Sequence, residues 1–150
     1  MSVATESVHL FALGVRFLAE GEEVSIVEHD LPPRALGAPL HTHTHEDEFS
    51  YVLEGRLGAQ LGDEVVEAGP GELVRKPRGQ EHTFWNAGDG PLRFLEVIAP
   101  GRFAGYFREV APLLAADDRE GVAAVAASYS LDIDFATVPV LAERHGLRLD

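Results

Sequence analysis

Three histidines alternate at His41, His43 and His45, and three carboxylates, Glu46, Asp47 and Glu48, follow at once. In an extended strand every second side chain lies on one face, so these imidazoles can converge on a point. Imidazole and carboxylate are ligands for borderline divalent metals. A metal-binding hairpin is the first chemistry this stretch suggests. A further histidine lies downstream in GELVRKPRGQEHTFWN, residues 71–86. On that strand His82, Phe84 and Asn86 share one face, with Thr83 and Trp85 on the other. Beside the first segment it reads as the second half of a metal site. Spacing alone equally allows His41, His43 and His45 to act as a three-histidine set.

The composition narrows the chemistry further. The 150 residues are enough for one domain with a substantial core. There is no cysteine, which excludes disulfides, thiolate catalysis and zinc-finger sites. A formal net charge of −13 argues against nucleic-acid or anionic-membrane partners. No leader-like basic and apolar run opens the chain, and no segment reaches membrane-spanning length. The default expectation is a cytoplasmic protein. Neither a Ser-His-Asp spacing nor a phosphate-cradling glycine loop is visible, so a bound metal would carry the chemistry.

The elements that must position these residues are short strands. Apolar runs at 8–13, 15–18 and 24–29 come first, with a break at Gly14 and a turn at 20–23. Pro32 and Pro33 cannot continue a ladder, and residues 37–39 form the loop before the histidines. Further strands are expected at 57–61, 64–68, 72–75, 82–86 and 92–98, separated by Gly, Pro and Asp turns. Many short strands with regular punctuation read as an all-β sandwich or barrel, spanning about residues 8–99. The composition changes after Pro100-Gly101. Phe103, Phe107, Val110 and Leu114 recur at helical spacing, with Pro112 expected to kink or split that helix. A second helix is expected from Asp117 or Asp118 through Ser128. A third should run from Thr137 as N-cap to Gly146 as C-cap, with Pro139 in its first turn. This tail, about residues 101–147, reads as a helical appendage used for packing.

The two histidine segments together resemble the cupin superfamily. The family's first motif, G-x5-H-x-H-x3–4-E-x6-G, is met by His41, His43, Glu48 and Gly55, with Ala35 in the opening glycine slot and Gly37 nearby. The second, G-x5-P-x-G-x2-H-x3-N, is met at every position by Gly71, Pro77, Gly79, His82 and Asn86. Within the family, the wording around these motifs and the helical tail are similar to the small quercetin-dioxygenase-like cupins. The resemblance implies a double-stranded β-helix, or jelly-roll barrel, holding one divalent transition metal ion (Fe, Mn, Ni, Cu or Zn) on His41, His43, Glu48 and His82. It favours this set over the three-histidine one. Glu48 has the opposite strand parity to His41 and His43, so the chain must turn across residues 44–47. That would leave Glu48, Ser50 and Val52 facing inward, His45 outward, and Glu46 and Asp47 as solvated turn residues. Asn86 is expected to tie backbone together; His9, His29 and His145 receive no role.

The implied activity is that of a metal-dependent oxygenase, a quercetinase-like dioxygenase of a small, chelating aromatic or enolic substrate, with Glu48 also accepting a proton. The alternatives are a non-catalytic cupin that binds metal and a small molecule, and a Lewis-acid isomerase or lyase. The implied partners are a small-molecule substrate and a second copy of the chain in a homodimer.

Overall fold

Ten consecutive strands build two facing sheets, with burial alternating most clearly along three of them, at residues 47–54, 73–76 and 92–99. The computed structural model describes residues 5–149. The strands are β1 (Ser7–Leu10), β2 (Leu13–Ala19), β3 (Ser25–Leu31), β4 (Leu40–His43), β5 (Asp47–Glu54), β6 (Leu57–Leu61), β7 (Glu64–Ala68), β8 (Leu73–Lys76), β9 (His82–Asn86) and β10 (Leu92–Ala99). A 3-10 turn then leads into α1 (Ala104–Ala115), α2 (Arg119–Ser128), β11 (Leu131–Asp134) and α3 (Thr137–His145). One sheet has the order β1-β2-β3-β10-β5-β8 and the other β11-β4-β9-β6-β7. Their strands pair antiparallel throughout, as expected for an all-β jelly roll with a helical C-terminal tail.

The inner faces meet in one apolar core. Val27, Val52, Phe94 and Ile98 project from the first sheet and Leu57, Ala59 and Phe84 from the second. Three motif glycines, Gly55, Gly71 and Gly79, adopt φ of 88°, 86° and 78°, a left-handed backbone that costs a Cβ-bearing residue free energy. Ala35 is not among the positive-φ residues, so alanine suffices where the motif has its opening glycine. Gly37 meets a different demand: a Cβ there would lie 2.1 Å from the Phe84 ring.

Several boundaries differ from the sequence reading. The first hairpin turns at Phe11-Ala12, with Leu10 opposite Leu13, rather than at Gly14. Gly14 sits inside β2, where a Cβ would strike the Asp30 carboxylate. Pro112 does not split α1: the helix runs on to Ala115, with the amide bond that residue 112 would give to the residue 108 carbonyl forgone and only three helical residues beyond it. The N-cap of α3 is Ala136, not Thr137. The Thr137 hydroxyl instead accepts the Leu40 amide and donates to the Asp134 carbonyl, tying the tail to β4. The largest difference is β11, inside the stretch read as helical. It adds to the edge of β4 with Leu131 opposite His43 and Ile133 opposite His41. Among the described residues no helix is long and apolar enough to cross a membrane.

Candidate metal centre

His41 and His43 lie on β4 and His82 on β9, its neighbour, where His41 and His82 are direct cross-strand partners. The chain bends after His43 and enters the other sheet at Asp47, so β5 faces β4 across the barrel. The Gly79 amide donates to the His43 carbonyl at 2.8 Å and joins the two motifs at the bend. Glu48 consequently points inward, with Ser50 and Val52 buried on the same strand face. One candidate ligand atom from each of His41, His43, Glu48 and His82 lies within 4.8 Å of all the others, a grouping that could hold a metal ion. His45 is exposed and outside this group.

The hydrogen bonds orient the rings. His41 Nδ1 is 2.8 Å from the Pro39 carbonyl and His82 Nδ1 is 3.1 Å from the Gln80 carbonyl. A ring that donates Nδ1–H to a carbonyl presents a bare Nε2 to the centre. His43 Nε2 is 3.0 Å and His82 Nε2 3.3 Å from the same Glu48 oxygen, Oε1. Neither nitrogen has a properly directed hydrogen bond, although both rings are buried. Buried polar atoms without partners call for an explanation, and a cation between them supplies one. Glu46, read as a solvated turn residue, is buried with Oε1 3.4 Å from His43 Nδ1. A carboxylate behind an imidazole is the usual support of a metal-bound histidine. Asp47 does sit nearer the surface, where it accepts from the Arg78 backbone and guanidinium.

Electrostatics favour the neutral imidazole at His41 and His82 but not at His43. Burial, reinforced by the other two histidines, holds His41 well below its ordinary value, and burial also lowers His82. For His43 burial opposes charge, but Glu48 and Glu46 outweigh it and push the ring up to about 9. Burial raises the Glu48 carboxyl, yet His43 and Lys76 overcome this and leave it well below the usual carboxylate range. A cation at the centre would take over the charge-balancing role of the His43 proton.

His41 and Glu48 open onto a cavity of about 770 Å³. Its far walls come largely from the tail and are mostly apolar, with Phe103, Tyr106, Phe107, Leu113, Leu114 and Val122 beside the charged Asp117, Asp118 and Arg119. The appendage thus encloses the cavity as well as packing on the barrel. Three buried residues at the cavity floor have no counterpart in the sequence reading. His29 stacks on Phe84 with Nδ1 3.2 Å from the Gly14 carbonyl, while Lys76 and Glu96 pair at 2.6 Å. Strand parity carried the signal for the latter two. Lys76 shares the inward face of β8 with Val74, and Glu96 that of β10 with Phe94 and Ile98. Asn86, at the far end of β9, donates to the carbonyls of Leu31, Pro32 and Gly90 and accepts from the Gly88 amide.

Comparison with known proteins agrees with this fold. The polyketide synthase CurC of Streptomyces cyaneus is 32% identical over 80 residues, covering 51% of this chain and 52% of CurC. The oxidoreductase iacF of Pestalotiopsis fici is 42% identical over 50 residues, covering 33% of this chain and 24% of iacF. The matches therefore span about half or less of either relative. A Klebsiella pneumoniae protein with a double-stranded β-helix domain superposes with a TM-score of 0.55 at 24% identity, covering 60% of this chain and 78% of that one. Residues 27–98 match the family model described as Cupin domain, a stretch that contains both histidine segments. The chain thus carries a cupin domain over residues 27–98, set in a double-stranded β-helix barrel.

Proposed function

We propose that the protein is a metal-dependent oxygenase, quercetinase-like in chemistry, acting on a small chelating aromatic or enolic substrate. His41, His43, Glu48 and His82 hold the ion, one divalent transition metal. The observation that carries this reading is four mutually close ligand atoms, of which those of His41 and Glu48 belong to residues lining a mostly apolar cavity of about 770 Å³. Bound there, iron, manganese, nickel or copper would supply Lewis acidity and redox chemistry with dioxygen, whereas zinc would supply Lewis acidity alone. The protein's own part is positioning and proton handling. Phe103, Phe107 and Leu114 exclude water and receive a flat apolar body. Glu48 turns Oε1 to the imidazoles, which leaves its second oxygen to take a proton from an enolisable substrate.

The names of the relatives are compatible with this class. CurC is a polyketide synthase protein, and polyketides are enolisable poly-carbonyl chains; iacF is an oxidoreductase. The first name also favours a second reading, Lewis-acid chemistry without oxygen. Oxygen uptake with flavonols and β-diketones, using protein loaded with iron, manganese, nickel or cobalt, separates the two. Uptake matched to substrate loss, absent with zinc and in His82→Ala, is the expected result. Product formed equally well under argon favours a lyase or isomerase. Tight binding without product in either atmosphere leaves a binding protein. A homodimer belongs to the same proposal, since edge strands β7 and β8 expose Val65 (50%) and Leu73 (56%). Sedimentation at the mass of two 16.3 kDa chains checks it.

A further inference from the structure

Lys76 is an unusual residue to find inside a barrel. Its side chain is 2% exposed, and Glu96 is its one salt-bridge partner among the described residues. An ammonium has three N–H donors, and one of these is used on Glu96 Oε2 at 2.6 Å. The Phe84 ring lies 5.0 Å from Nζ and offers its face, which compensates in part. Glu96 is better served, because it also accepts from the Ser50 hydroxyl at 3.0 Å. Lys76 therefore keeps hydrogen-bonding capacity in a place where unmet donors are costly. It lines the same cavity as His41 and Glu48. Lys76 and Glu48 are direct cross-strand partners on β8 and β5, which puts their Cβ atoms about 5 Å apart.

We propose that Lys76 is the substrate-orienting residue of this cavity, an oxyanion anchor beside the metal centre that selects amphiphiles with a flat apolar body and an anionic oxygen head. A divalent ion and one ammonium set against Glu48 and Glu96 would leave one net positive charge at the floor; the cavity's other charged lining residues, Asp117, Asp118 and Arg119, are solvent-exposed, with Arg119 against Asp117. A head group with two oxygens on neighbouring carbons or on carbons one apart reaches Lys76 with one and the centre with the other. The body then lies toward Phe103 and Phe107. The contact with the second oxygen rests on the metal reading above; the contact with Lys76 does not.

The test is calorimetric titration of zinc-loaded protein with a hydroxynaphthoate, which has a carboxylate next to a hydroxyl, and with naphthol, its uncharged analogue. Lys76→Met alone strands the buried Glu96 and risks misfolding, so the decisive variant is Lys76→Met/Glu96→Gln, which removes both charges. Affinity for hydroxynaphthoate should fall about tenfold or more while that for naphthol changes less than twofold. Equal changes for both probes, or none for either, overturn the proposal and leave Lys76–Glu96 a structural pair. In a crystal of the wild-type complex the carboxylate should lie within hydrogen-bond reach of Nζ; a carboxylate facing the mouth is the contrary result. Repeating the titrations after chelation separates the two readings. Wild-type affinity indifferent to zinc, with the variant still losing its preference for the carboxylate, sinks the metal reading alone. Zinc dependence with no effect of the double variant sinks this one alone.

Discussion

The two ends of β9 carry the same kind of residue in opposite conditions. Asn86 and His82 are both polar, both buried and on one face of one strand. Asn86 satisfies its side-chain amide four times over, with the backbone of 31–32 and 88–90, and closes that end of the barrel. His82 secures Nδ1 on the Gln80 carbonyl and leaves Nε2 with no partner, facing two other imidazoles and a carboxylate. Burial is alike at the two ends; what differs is whether the folded chain supplies the partner. A polar group that the chain completes is structural, and one that it leaves open is waiting for something from outside.

The sharpest way to break this contrast is to exchange the losses. His82→Ala should weaken metal binding by more than about a hundredfold, beyond the range typical of supporting residues, with the unfolding midpoint of the metal-free protein nearly unchanged. Asn86→Ala should do the reverse. It strands three carbonyls and an amide, so denaturant melts should show a loss of about 3 kcal/mol, with metal affinity of the folded fraction intact. If either variant shifts both quantities alike, the distinction between the ends fails.

His29 gives a sharper version, because its own ring is enclosed by the protein. Burial lowers it from 6.5 to about 4, with Lys76 adding to the effect. The folded value lies below the unfolded one, so its contribution is complete above pH 6.5 and is lost as pH falls toward 4. By about pH 5 the loss from this group should be on the order of 2 kcal/mol. Comparing pH–stability slopes of metal-free wild type and His29→Phe isolates it, and parallel slopes would rule it out. The smallest effect belongs to Glu46. Glu46→Gln keeps the shape behind His43 but removes the charge, and metal affinity should drop about tenfold.

How far the sequence reveals all this depends on which force sets each feature. The barrel strands are legible because Gly, Pro and Asp punctuate them, and Gly55, Gly71 and Gly79 are required by positive φ. The turn between His43 and Glu48 follows from parity, since one odd step reverses a strand face. Asn86 behaves as its place beside a Gly-Asp-Gly turn suggests. What composition hides is tertiary. The segment Leu131–Asp134 is too short to announce a strand, and it becomes one because β4 offers an open edge. Lys76 and Glu96 look like surface charges when counted singly, and only the buried neighbours two residues away on their strands reveal them. Glu46 appears solvated until the bend that carries β5 across the barrel folds it under His43. The tail's amphipathic stripe is plain in Phe103, Phe107 and Val110, but that it encloses a cavity is visible only once the barrel is built.

The central claim is that one ion sits among the four converging side chains. Anomalous diffraction from a cobalt-loaded crystal tests it most directly. The account predicts a single strong peak about 2.0–2.2 Å from Nε2 of His41, His43 and His82 and from the Glu48 carboxylate. No peak at that point, or one held elsewhere with the three imidazoles left empty, would contradict it.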